Sequence, residues 1–102
     1  MKLSGKCKQE FIKWMCENYP EIRWHEYETM PETSLNALII DFFDSAGIFI
    51  IIQKLVYEPL FDCHINGLKN QITSGSFDTR DEATIEAILK ANEIFNENNK
   101  EN

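Results

Sequence analysis

The sequence of 102 residues has little proline, little glycine and no long hydrophobic run. With three prolines and four glycines, broad disorder is not expected. The strongest apolar run, 48–52, holds five residues, whereas a membrane-spanning helix needs roughly 18. Polar residues follow the lysines at the start, so we predict no signal peptide, no membrane contact and a cytoplasmic protein. The length is that of one domain covering 1–102.

Cysteine is scarce as well, and its number is odd. Cys7, Cys16 and Cys63 are expected to be reduced thiols that act as small hydrophobic side chains. Cys63 and His64 are neighbours in a predicted strand, where adjacent side chains point to opposite faces, and this excludes a hydrogen-bonded catalytic dyad. No Cys or His pair has metal-ligand spacing, and no glycine-rich phosphate loop is present. The sequence therefore predicts no enzyme, no metal and no cofactor.

Basic residues are outnumbered, ten against seventeen acidic ones, which gives a formal net charge of −7. Clustered lysine occurs only around the first predicted helix, at Lys2, Lys6, Lys8 and Lys13. Because a nucleic-acid surface needs clustered Lys and Arg, we do not expect nucleic acid as a partner. Acidic surfaces attract basic protein patches, so the expected partner is a protein with a basic surface.

Two helices are predicted, one at each end of the chain. The first lies within 1–19: Ser4 can cap it, and Cys7, Phe11, Trp14 and Met15 follow helical spacing. The last covers 79–96, before a polar tail, 97–102, that is expected to fray. Thr79 and Glu82 have the spacing of a capping box at its start. Its seam of small residues would let it sit close on a sheet and consists of Ala83, Ala87 and Ala91.

The segment 21–30 is ambiguous between helix and strand. Its aromatic residues, with the acidic residues around them, are the predicted partner-binding surface, because aromatic side chains are enriched at protein interfaces. This candidate site consists of Trp24, Tyr27, Glu21, Glu26, Glu28 and Glu32.

An antiparallel sheet is predicted over 34–73. Its strands are 34–43, 48–57 and 60–65, with a turn at 44–47 where Gly47 can take the left-handed conformation. A short fourth strand at 68–73 would follow Asn66-Gly67, a hairpin signal. The predicted fold is α+β, in the order α-β-β-β(-β)-α, with two helices packed on one face of the sheet.

The central strand is apolar on both sides. Ile48, Ile50 and Ile52 lie on one side, and Phe49 and Ile51 on the other. Two helices on one face of the sheet can bury only one of these sets. The other set needs a partner protein, a second copy of the chain, or the 21–33 segment folded over it, so we expect protein binding or a homodimer through the sheet.

The predicted order of elements resembles that of double-stranded-RNA-binding domains. In that family a proline-histidine loop joins the first two strands, and a lysine cluster at the start of the last helix grips phosphates. Here the matching loop is 44–47. The matching helix positions hold one base and two acids: Thr79, Arg80, Asp81, Glu82 and Thr84. The resemblance therefore implies the topology, with at most a degenerate RNA-binding module as its function.

Two segments resemble a group of small uncharacterised proteins of tailed phages and prophages of gut Bacteroidetes. They are DFFDSAGI at 41–48, and TRDEA at 79–83 continuing through Ala87-Ile88 to KANEIF at 90–95. The resemblance implies a phage origin and the cytoplasm of a bacterial host. With the acidic charge, it suggests a protein that binds and inhibits a host defence nuclease complex, as anti-CRISPR proteins do. The alternative is a self-associating accessory or structural phage protein.

Overall fold

The computed structural model describes residues 2–67 and 71–100, apart from the side chains of Trp24, His25 and Glu28. Within these residues the chain forms four helices and three strands. They follow one another as α1 (Gly5–Asn18), α2 (Trp24–Thr29), α3 (Glu32–Ser45), β1 (Phe49–Lys54), β2 (Phe61–Asn66), β3 (Gln71–Phe77) and α4 (Arg80–Asn98). The fold is α+β, as predicted.

The three strands form one antiparallel sheet in the order β1-β2-β3. Its register places Ile51 of β1 beside His64 of β2, and His64 in turn beside Thr73 of β3. A bulge interrupts the pairing of β2 with β3 at Phe61 and Asp62, where the register of β3 steps from Phe77 to Gly75. Short turns between consecutive strands explain this simple order.

The helices form a layer on one side of the sheet. α4 packs against all three strands, and α3 packs against α4 and β1. α1 packs mainly against α4 and α3 rather than against the sheet. The predicted seam of α4 is fully buried at Ala83, Ala87 and Ala91, because only small side chains leave room for close contact with the strands.

An aromatic cluster holds the helices together. The ring of Phe42 on α3 lies 5.5 Å from Phe11, 5.9 Å from Trp14 and 5.6 Å from Phe95, measured between centroids. Three of these contacts join different helices, and edge-on or tilted ring pairs of this kind add stability beyond their buried area. The stripe predicted for the first helix is therefore a packing stripe.

The predicted strand at 34–43 is wrong, because this segment is the helix α3. Its apolar side chains alternate at 38, 40 and 42, which suggested a strand. They also recur at helical spacing, and most of the apolar residues that α3 buries or half-buries follow that second pattern: Leu35, Leu38, Ile39, Phe42 and Phe43. Gly47 ends the helix with φ of 81°, the left-handed conformation predicted for it.

With a helix at 32–45 in place of the first predicted strand, the order of elements differs from the predicted one. Three helices now precede three strands, and the α-β-β-β-α portion begins at α3. The loop between the first two strands is 55–60, not 44–47. Because the first predicted strand is a helix, the strand predicted at 68–73 corresponds to the third and last strand of the sheet, β3, which overlaps it at 71–73. Asn66 belongs to β2 and pairs with Gln71, so it is not a hairpin turn residue. The predicted strand 68–73 falls partly on residues outside those described.

Of the two predicted N-caps, Thr79 caps α4 with its side chain, whereas Ser4 does not cap α1. Thr79 Oγ1 accepts a hydrogen bond from the Glu82 amide at 3.1 Å, although the described contacts include no return bond from Glu82. Ser4 occupies the N-cap position of α1 but caps nothing with its own side chain. Its hydroxyl instead accepts a hydrogen bond from Asn92 Nδ2 on α4 at 3.1 Å.

Candidate protein-binding surface

Within the described residues, one face of the sheet has no helix on it. On the covered face Cys63 and Ile65 are fully buried, and Ile50, Ile52 and Ile72 are partly buried against the core. On the other side Phe49 is 50% exposed and Ile51 is 47% exposed. The sequence predicted this division of the central apolar residues. We call the uncovered side the open face, formed by Phe49, Ile51, Gln53, Asp62, His64, Asn66, Gln71 and Thr73.

The 21–33 segment does not cover the open face. Its aromatic residue Tyr27 is buried on the helical side, where its ring meets Phe11 of α1 edge-on at 6.4 Å. Of the three ways to cover the second apolar set, a partner protein and a second copy therefore remain.

His64 lies at the centre of the open face and is held by its neighbours. Its Nδ1 lies 3.1 Å from Thr73 Oγ1, and its Nε2 lies 3.1 Å from Gln53 Nε2. Each ring nitrogen therefore has a polar side chain of an adjacent strand within hydrogen-bond distance, Thr73 of β3 on one side and Gln53 of β1 on the other. Both ring nitrogens are used within the sheet, which makes His64 a structural anchor of this face.

Asp62 is the acidic residue of the open face. Its Oδ2 lies 3.4 Å from His64 Nε2, and its Oδ1 is buried without a hydrogen-bond partner among the described residues. Gly75 stands opposite, and a side chain there would bring its Cβ within 3.1 Å of Asp62 Cβ. The glycine therefore leaves the space that this carboxylate occupies.

The polar half of the open face forms a shallow depression of about 350 Å³. It is lined by Ile51, Gln53, His64, Asn66, Gln71 and Thr73. Among the described residues, no group of three His, Cys, Asp or Glu side chains could hold a metal ion. Cys63 points into the core on the opposite side, where burial raises the pKa of its thiol. Cys63 and His64 thus lie on opposite faces of the sheet, and the arrangement offers surface for contact.

The loop from β1 to β2 carries two further exposed apolar side chains. The Leu55 amide donates to the Leu60 carbonyl at 2.8 Å and closes the loop. At its tip Val56 is 85% exposed and Tyr57 is 96% exposed. A fully exposed tyrosine next to an exposed valine is typical of a contact residue rather than of a folding residue.

Of the predicted site residues whose side chains the structure describes, Tyr27 is buried, whereas Glu21, Glu26 and Glu32 are exposed. Tyr27, expected at the surface, is buried, and burial raises the pKa of its phenol, with a further contribution from Cys16. The helix-forming stretch 24–29 turns this ring inward, so the prediction for Tyr27 is wrong. The side chains of Trp24 and Glu28 lie outside those described.

Two of the described acids, Glu26 and Glu32, make contacts with nearby residues. Glu26 Oε2 accepts a hydrogen bond from the Arg23 amide at 3.2 Å, at the start of α2. Glu32 Oε1 pairs with Lys2 Nζ at 2.6 Å. Glu21 is exposed.

Of the open face, sequence reasoning identified Phe49 and Ile51 as a surface that needs covering. It missed Gln53 and Thr73, which strand alternation places beside His64.

No protein-family model matches this chain, and the searches of curated proteins and of solved structures gave no match. Within the part of the chain that the structure describes, no helix is long and apolar enough to cross a membrane. The candidate surface is therefore argued from its own geometry.

Proposed function

We propose that this chain is a protein-binding module without catalytic activity of its own, and that it docks a partner protein on the open face. The observation that carries the proposal is the adjacent pair Phe49 and Ile51, half exposed on a sheet face that has no helix over it. Exposed apolar patches with a polar rim typically mark protein interfaces. Here the rim is the Gln53, His64 and Thr73 network.

The charges of the open face favour a protein over a nucleic acid. None of its eight residues is Lys or Arg, so it offers no ion pair to a phosphate backbone. At the start of α4, Asp81 and Glu82 stand where an RNA-binding helix would carry lysines. The RNA-binding alternative thus lacks a basic surface on both of these elements.

The size of the open face favours a partner that reaches beyond it over a second copy stacked flat on it. Three strands of about six residues cover roughly 14 by 20 Å, or about 280 Å². A stable interface buries about 800 Å² on each partner. A partner that also contacts the exposed loop tip, Val56 and Tyr57, comes closer to this area. Homodimerisation through the sheet remains an outcome to be tested.

The narrower role, inhibition of a host defence nuclease complex, rests on the resemblance to phage proteins and on the net charge of −7. An acidic domain can occupy a basic nucleic-acid channel. Under this proposal the chain acts in the host cytoplasm.

The test compares two serine variants at apolar positions of similar exposure. Ile51→Ser alters the open face, and Leu89→Ser alters α4 at a residue that is 39% exposed. Wild-type and variant chains are immobilised, and the proteins that each retains from a gut Bacteroidetes lysate are identified. The retained partner is then purified and titrated against each chain.

We expect the partner to bind the wild type and Leu89→Ser alike, and Ile51→Ser at least about tenfold more weakly, as for an interface anchor. Equal binding by all three chains would contradict docking on the open face. If no partner is retained and sedimentation shows a dimer that Ile51→Ser dissociates, the occupant is a second copy. A monomer that retains nothing would refute the function itself.

A further inference from the structure

The outer edge of β3 is unpaired. β3 is the last strand of the sheet and pairs only with β2. In a strand, every second residue directs its N–H and C=O away from the neighbouring strand. Within the described residues, none of these outward groups on β3 makes a backbone hydrogen bond. The edge thus has a row of free donors and acceptors.

This edge lacks the sequence features that usually prevent an edge strand from pairing with another chain. Natural edge strands discourage pairing with lysine, other charges or proline. β3 has the sequence QITSGSF, with no charged residue and no proline. Its bulge lies near the far end, opposite Phe61 and Asp62, so the stretch from Gln71 to Gly75 stays regular. The other edge differs, because β1 ends in Lys54 and is flanked by α3.

A stripe of acidic residues on α4 lies on the side of the helix towards the unpaired edge of β3. Glu82, Glu86 and Glu93 stand at positions i, i+4 and i+11, on one side of the helix, and are exposed or half exposed. α3 packs on the flank of α4 towards β1, which leaves the opposite flank, towards β3, for this stripe. Glu86 lies close enough to the sheet to raise the pKa of the Cys63 thiol, after the larger effect of burial.

We propose that β3 accepts an extended segment of a partner protein as a fourth strand, and that this segment carries lysine or arginine at alternate positions. Backbone hydrogen bonds to the 71–75 stretch would provide the pairing. Side chains of an added strand alternate between the two faces of the sheet. Those on the helical side would meet Glu86 and Glu93, so basic residues fit there.

The charges argue against a second copy at this edge. Two β3 strands paired about a two-fold axis would bring two α4 stripes side by side, with like charges facing each other. Lys90 pairs with Glu86 at 4.0 Å and with Glu93 at 3.9 Å, and one cation cannot balance three acids. A basic segment removes this repulsion and gains ion pairs instead.

The test uses the full chain and two synthetic ten-residue peptides, one alternating lysine and valine and one alternating glutamate and valine. Binding is followed by fluorescence anisotropy, and hydrogen exchange locates the protected amides. Glu86→Gln with Glu93→Gln weakens the stripe. Glu10→Gln with Glu17→Gln on α1 is the matched control, since it removes the same charge. Each pair includes one acid with an i,i+4 lysine, at 4.0 Å for Glu86 and 3.3 Å for Glu10.

We expect the lysine peptide to bind and to slow exchange of alternate amides in Gln71 to Gly75. Its dissociation constant should rise about five- to tenfold in the stripe variant and less than about twofold in the control. Protection on β1, equal weakening in both variants, or equal binding of the glutamate peptide would overturn the inference.

This inference rests on the proposed protein-binding function but uses another surface. Ile51→Ser should leave peptide binding unchanged. If the peptide fails to bind while a captured partner still depends on Ile51, only the edge inference is refuted. If the peptide binds while no partner depends on Ile51, only docking on the open face is refuted.

Discussion

Asn96 on α4 caps the first helix of the chain: its Oδ1 accepts a hydrogen bond from the Cys7 amide at 2.8 Å. Its Nδ2 donates to the Ser4 carbonyl at 3.0 Å. Asn92, one turn earlier, accepts from the Ser4 amide at 3.0 Å. Two side chains of the last helix therefore satisfy backbone groups that the start of α1 would leave unpaired.

Replacing Asn96 should therefore destabilise the fold more than a surface substitution does. Asn96→Ala removes the cap on Cys7 and the bond to Ser4, and we expect it to lower the free energy of unfolding by about 1–2 kcal/mol. Urea unfolding measures the change. Asn98→Ala is the control, because it makes the same change of helix propensity on the exposed end of α4. Equal effects of the two variants would show that the cap contributes nothing.

The sequence could not reveal this cap, because the capping residue lies 89 positions from the capped amide. Sequence patterns gave correct predictions where the interacting residues are close together in the sequence. Thr79 and Glu82, three residues apart, start α4 as predicted, and Gly47 has the left-handed conformation predicted for it, although it follows a helix and not a strand. The helix α3 itself was missed although its apolar spacing contained the signal. The alternation of Leu38, Ile40 and Phe42 outweighed the helical period in the prediction, whereas the segment forms a helix that packs on α4 and β1.

The candidate site was predictable only in part, for a similar reason. Strand alternation alone places Phe49 and Ile51 on a second apolar face, and the structure leaves that face open. Whether an aromatic residue such as Tyr27 is buried depends on which helix it meets, and here it meets Phe11 of α1. The polar network at His64 depends on the cross-strand register, which places Ile51 and Thr73 beside it and which the strand pattern alone does not fix.

The one-sided sheet can be tested with the same substitution on its two faces. Ile65 is fully buried beneath the helices, whereas Ile51 is 47% exposed on the open face. Ile65→Ala should lower the free energy of unfolding by about 2–5 kcal/mol, because it leaves a cavity in the core. Ile51→Ala removes a side chain that is already in contact with water and should cost under about 1 kcal/mol. Similar losses, measured by urea unfolding, would mean that the open face is covered in solution.

The three thiols should differ sharply in reactivity. Cys16 is exposed, whereas Cys7 and Cys63 are buried. Burial also raises the pKa of the Cys7 and Cys63 thiols, so little of the reactive thiolate exists in the native state near neutral pH. A disulfide reagent at pH 8 should modify Cys16 quickly and the other two only after unfolding. Cys16→Ala should abolish the fast phase, and rapid modification of a second thiol would contradict the buried positions.

Alkaline pH should weaken the fold through Cys7. Burial raises the pKa of its thiol from 9.0 to about 12. Above pH 9 the unfolded chain releases this proton while the native chain keeps it, so the native state binds more protons and its stability falls as pH rises. The loss begins near pH 9 and continues towards pH 12, with a slope of up to about 1.4 kcal/mol per pH unit from this group. Urea unfolding at pH 7, 9 and 10 should show a shallower decline in Cys7→Ala than in the wild type, and an unchanged decline in Cys16→Ala. An equal decline in all three chains would show that Cys7 ionises as readily in the folded as in the unfolded state.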